Sequence, residues 1–215
     1  MNREQRVRWV MKPAVFVLSL VPFGLLIWWA FNDGLGANPV EFITHHTGRW
    51  GLRFLIITLC VTPLRKLSGW NSLVRIRRML GLFAFFYLCL HFLTYLVLDA
   101  EFSLGYIVED VAKRLYITAG FTGFCLLIPL AATSTNGMVR RLGGKRWQQL
   151  HRLIYPAVLA GCLHFLWLVK ADVREPLIYL SIVLVLLLLR THFIARRIST
   201  LRQSTGQAGV KGAPG

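Results

Sequence analysis

Three histidines, His91, His151 and His164, lie within long apolar runs of this chain. An ionisable side chain in such a run is costly to bury and is usually there for function. A neutral imidazole offers one nitrogen lone pair to a metal and keeps a proton on the other nitrogen to donate. His151 and His164 share one run, residues 147–170, and stand 164 − 151 = 13 residues apart. On a helix that is roughly 20 Å of rise. Two imidazoles at two depths of one run suggest two stacked metal centres.

The elements that must position them are membrane helices. The chain has 215 residues, 55% of them hydrophobic, with a mean hydropathy of +0.55. Few soluble domains of that length are so apolar, whereas several spans of about 20 residues account for it. The pattern predicts six: residues 13–31, 50–64, 79–98, 115–133, 147–170 and 176–189, the last running on towards 194. Residues 32–48, with His45 and His46, read as a loop, as do 99–114 and 134–146. His192 reads as an interface residue of the last span, and residues 198–215 as a disordered tail. The membrane domain is thus expected over residues 1–197.

The formal charge is +16. Its cations gather at the N-terminus, in 65–78, in 134–146 and at the C-terminus, while the opposite side holds few. The positive-inside rule then places both termini in the cytoplasm and explains the charge by topology, with lipid contact and no nucleic acid. Arg53 either snorkels to the interface or faces the bundle interior. Asp99, Glu101, Glu109 and Asp110 form an acidic outer segment, either solvated or a docking face for a periplasmic acceptor. Cys60, Cys89, Cys125 and Cys162 lie singly in apolar runs, without the CxxC spacing of zinc sites or the CxxCH of covalent haem.

Topology matches depths. The third and fifth spans both run outward, so His91 and His164 share a level near the outer leaflet. They are the expected axial ligands of one haem b, held between helices 3 and 5. The bland alternative is a hydrogen bond across helices. His151 marks an inner level, where the third span carries Arg77 or Arg78 in place of a histidine. Arg77 returns close to the face of His91 and reads as a partner for a haem propionate or an anionic cofactor. The 13-residue offset leaves His151 and His164 apart around an ideal helix, and Pro156 is positioned to re-register the run. Ala84, Ala157, Ala160 and Gly161 either make room for the macrocycle or let helices pack closely.

Three stretches carry a resemblance: GLGANPVEFITHHTGRWGLRFLIITLCVTPLRK, RIRRMLGLFAFFYLCLHFLTYL and TSTNGMVRRLGGKRWQQLHRLIYPAVLAGCLHFLWLVK. The chain resembles the MsrQ (YedZ) family, haem-binding membrane subunits of the bacterial periplasmic methionine sulfoxide reductase system, within the ferric-reductase-like transmembrane superfamily. The resemblance implies an all-α inner-membrane protein of six spans with one or two b haems, with His91, His151 and His164 matching the family's haem histidines. It implies electron delivery to a periplasmic molybdopterin enzyme, MsrP, which would hold the catalytic site for sulfoxide reduction and protein repair. The chain has no GxGxxG and no length for a flavin and nicotinamide domain. The resemblance therefore implies the quinol pool or a separate cytoplasmic flavin reductase as donor, with FMN or quinone as further cofactors. Two other readings stay open: a stand-alone membrane ferric reductase, and a transporter using the histidines as a proton relay.

Overall fold

In the computed structural model, which describes residues 3–191, the described chain is helical and holds no strand. A short lead-in, α1 (Arg3–Arg6) and a π turn (Val7–Met11), continues into α2 (Lys12–Phe31). Next come α3 (Pro39–Ser68), α4 (Val74–Thr94), α5 (Leu104–Lys113) and α6 (Leu115–Ala132). Two one-to-two-turn helices, α7 (Asn136–Leu142) and α8 (Gly144–Leu150), lead to α9 (Ile154–Leu168). A final helix, α10, covers 174–191. His192 and the tail lie outside the described residues.

Three stretches among the described residues are long and apolar enough to cross a membrane: Val7–Phe31, Asn71–Asp99 and Leu115–Ala132. The long α3 carries Glu41, Arg49, Arg53, Arg65 and Lys66, and α9 has only 15 residues. Side chains such as Val17, Leu18, Trp28, Val185 and Leu188 project outward from the bundle. An apolar perimeter of this kind suits a lipid solvent.

Helix α4 packs chiefly on α3, and α9 on α6. Ala84, Tyr87, Ala157, Val158, Cys162 and Val183 are almost wholly buried where these pairs meet the rest of the bundle. Gly51 admits Leu88 to within 2.6 Å of where a Cβ would stand, and Gly123 admits the Ala157 carbonyl to within 3.2 Å. Such close approaches favour small residues at helix contacts.

Helix α2 joins the bundle through a polar insertion. Pro22 interrupts its hydrogen-bond ladder. The buried Tyr87 hydroxyl enters beside it, donating to the Ser19 carbonyl at 2.8 Å and accepting from the Phe23 amide at 3.1 Å. The Pro22 carbonyl is engaged by His46 Nε2 at 3.0 Å.

The structure corrects the expected loops. His45 and His46 are helical, because α3 begins at Pro39 rather than near Trp50. Asn38 caps it, accepting from the Glu41 amide at 3.2 Å and donating to Glu41 Oε2 at 3.0 Å. Asn38 is thus an N-cap whose side-chain amide is itself held by Glu41, and Pro follows at the first helical position. Segment 99–114 contains α5, started by Ser103. Its Asp110 is neither solvated nor free for docking: it is 5% exposed, accepts from Tyr95 at 3.2 Å and pairs with Arg114 at 2.9 Å. Segment 134–146 forms α7 and the start of α8.

Candidate functional site

The α3/α4 and α6/α9 pairs bring His91 and His164 together. Their ring centres are 5.9 Å apart and their planes cross at 77°. The shared depth expected from topology is therefore the observed arrangement. Each ring is held from behind. His91 Nδ1 lies 2.9 Å from the Thr44 carbonyl of α3, and His164 Nδ1 lies 2.6 Å from the Tyr116 carbonyl of α6. A carbonyl can only accept, so both Nδ1 atoms carry the proton, and both Nε2 atoms keep a lone pair.

The separation of the two rings and the fixing of both Nδ1 atoms fit one metal held between two imidazoles. A ligating histidine commonly gives its other N–H to a carbonyl or carboxylate, which orients the ring. With each Nε2 at about 2 Å from the metal, opposed ring centres stand about 6 Å apart. Among the described residues no group of three or more His, Cys, Asp or Glu is placed for a metal ion. A two-histidine site therefore suits a metal whose remaining positions are filled by a macrocycle, as in b-type haem.

The inner level is built differently. The expected continuous span is broken: α8 ends at Leu150, His151–Leu153 form a 3-10 turn, and α9 starts at Ile154. The re-registration between His151 and His164 thus precedes Pro156, which sits in the first turn of α9, where its missing N–H costs nothing. His151 stacks on Trp147 with ring centres 3.9 Å apart. Its Nε2 lies 3.1 Å from Thr133 Oγ1, whose own proton goes to the Pro129 carbonyl at 2.7 Å. The Thr133 oxygen therefore accepts, and His151 Nε2 is the donor. Trp147 Nε1 ties the same corner, donating to the Thr133 carbonyl at 2.9 Å. His151 would have to release Thr133 before offering this nitrogen to a metal.

Arg77 and Arg78 bear on His151 from α4. Arg78 donates to Asn136 Oδ1. Arg77 is half-buried, and Arg190 and Arg65 bear on it as further cations. Arg190 covers the Tyr155 ring, 4.8 Å from its centre. Cations grouped in this way favour an anionic guest.

Arg53 turns towards a neighbouring helix. It donates to the Tyr179 hydroxyl at 2.7 Å, approaches Glu175 at 3.5 Å and lies over Trp50, 5.0 Å from the ring centre. It links α3 to the start of α10. Sequence reasoning missed the acceptors Thr44 and Tyr116, and also His46 as an anchor of α2. The capping signal at Asn38–Glu41 would have placed Thr44 and His46 on a helix.

Comparison with known proteins agrees with this architecture. Residues 47–162 match the family described as ferric reductase like transmembrane component. The chain is 57% identical over 186 residues to a protein of Herminiimonas arsenicoxydans named protein-methionine-sulfoxide reductase heme-binding subunit MsrQ, covering 86% of this chain and 85% of that one. A like-named protein of Rhodospirillum rubrum is 54% identical over 187 residues, covering 86% and 88%. One from Xanthomonas oryzae pv. oryzae is 48% identical over 207 residues, covering 93% and 94%.

Proposed function

Since the chain belongs to the MsrQ family of ferric-reductase-like transmembrane proteins, we propose that it is a b-type haem electron-transfer subunit of a periplasmic methionine sulfoxide reductase system. The observation that carries this reading is the facing pair His91 and His164, 5.9 Å apart with both Nδ1 protons committed to carbonyls. These two hold the outer haem between α4 and α9. Haem, when bound, supplies the one-electron iron couple.

The remaining residues define the inner end. His151 is the candidate ligand there, once parted from Thr133. Arg77, with Arg65 and Arg190 nearby, neutralises a haem propionate or the phosphate of an FMN. Six helices, α2, α3, α4, α6, α9 and α10, span the bacterial inner membrane with both termini cytoplasmic, and residues 1–197 form one membrane domain. Electrons come from quinol or a cytoplasmic flavin reductase and leave to the molybdopterin enzyme MsrP, which reduces methionine sulfoxide.

The test is the optical spectrum of full-length protein purified in detergent. Wild type shows b-type Soret and α bands, and His91→Ala and His164→Ala each lose the outer centre. A wild type without such bands overturns the reading. Reduced protein that passes electrons to MsrP and not to ferric chelates separates this function from stand-alone ferric reduction.

A further inference from the structure

The two histidine contacts repeat one local design. His91 meets the carbonyl of Thr44, and the residue four positions on is Gly48; His164 meets the carbonyl of Tyr116, and the residue four positions on is Gly120. In a helix, residues i and i+4 lie one above the other on the same face. The carbonyl of residue i points towards residue i+4, and the side chain of residue i+4 leans back over that carbonyl. An imidazole can reach the carbonyl's second lone pair only where that side chain leaves the approach open. A Cβ on Gly48 would stand 3.0 Å from His91 Nδ1 and 3.1 Å from Cε1. A Cβ on Gly120 would stand 2.6 Å from His164 Nδ1 and 3.0 Å from both Cε1 and Cγ.

We propose that Gly48 and Gly120 are positioning residues: each opens a socket in which a helix carbonyl takes the Nδ1 proton of the facing histidine and leaves its Nε2 lone pair directed into the space between α4 and α9. This rests on His91 and His164 being the axial pair, but the tautomer it specifies is a property of the chain itself. The sockets are unequal. Alanine at 48 asks the ring to yield by a few tenths of an ångström. Alanine at 120 displaces the very nitrogen that makes the hydrogen bond. Gly81 of α4 supplies the contrast, since a Cβ there would meet only Thr58 Cγ2 at an ordinary 3.8 Å.

The experiment uses full-length protein labelled with 15N-histidine, in detergent, before and after haem loading. Before loading, wild-type His91 and His164, assigned by single substitutions, give Nδ1–H signals. Gly120→Ala removes that signal for His164, Gly48→Ala weakens it for His91, and Gly81→Ala leaves both. After loading, haem affinity falls by about 10–100-fold in Gly120→Ala, the range typical of lost ligand-orienting partners, and the low-spin electron paramagnetic resonance signal shifts. A wild type whose His164 carries its proton on Nε2 overturns the proposal. So does a Gly120→Ala protein that keeps the Nδ1–H signal. If Gly120→Ala does not fold, Gly48→Ala with an unaltered His91 signal overturns it. A chain with the specified tautomers that binds no haem leaves the sockets standing and removes the electron-transfer reading instead.

Discussion

The Tyr87 hydroxyl sits inside the hydrogen-bond ladder of α2, 2.8 Å from the Ser19 carbonyl and 3.1 Å from the Phe23 amide. It joins α4 to α2, which His46 of α3 also holds through a polar contact at the Pro22 carbonyl. Tyr87→Phe leaves two backbone groups without their partner in a buried place, a loss of about 1–3 kcal/mol. The expected result is a lower unfolding temperature in detergent, with the His91 and His164 tautomers unchanged.

Glu175 makes more polar contacts than Tyr87 and is worth less. It accepts from Tyr179 at 3.0 Å and stands 3.5 Å from Arg53 and 4.0 Å from Arg49. These groups are about two-fifths exposed, and pairs of that kind contribute about 0–1 kcal/mol. Glu175→Gln should therefore shift thermal unfolding less than Tyr87→Phe, and added salt should shrink the difference from wild type.

The start of α3 depends on its cap. Asn38→Ala removes the acceptor of the Glu41 amide, and losing such a cap costs about 1 kcal/mol. Because Thr44 lies in the second turn of this helix, fraying there loosens the His91 contact. Hydrogen exchange of amides at 41–45 should quicken in the variant. Unchanged exchange would show that tertiary packing alone holds the turn.

His46 ties α3 to α2 through the Pro22 carbonyl, 3.0 Å from its Nε2. His46→Phe keeps a ring of similar bulk against Trp29 and removes that hydrogen bond. Leaving the carbonyl without this partner should cost about 1 kcal/mol and lower the unfolding temperature in detergent. An unchanged unfolding temperature would show that apolar packing alone holds α2.

The inner histidine gives the last prediction. Thr133→Val removes the oxygen that accepts from His151 Nε2 and so frees this nitrogen. If His151 ligates an inner haem, the variant should retain at least as much haem per chain as wild type, whereas His151→Ala should lose the inner centre and keep the outer one. Haem content measured per chain separates the two outcomes.

Apolar runs and the placement of cations were enough to predict a helical membrane bundle, because lipid admits few other backbone arrangements. Counting residues from the same charged boundaries was enough to put His91 and His164 at one depth. Linear position carries that information, since helical rise is constant. It does not carry rotation, and rotation decided the rest. Which carbonyl each ring meets depends on how α3 is turned against α4 and α6 against α9. The 3-10 turn at His151–Leu153 changes the register between His151 and His164 by an amount that residue spacing alone does not specify. The engagement of His151 with Thr133, the contact of Tyr95 with Asp110 and the entry of Tyr87 into α2 join different elements, 18, 15 and 68 residues apart in the chain. Their energies arise only after packing has brought the partners together. Depth was written in the order of the residues; the direction in which each histidine points was decided by the helices that surround it.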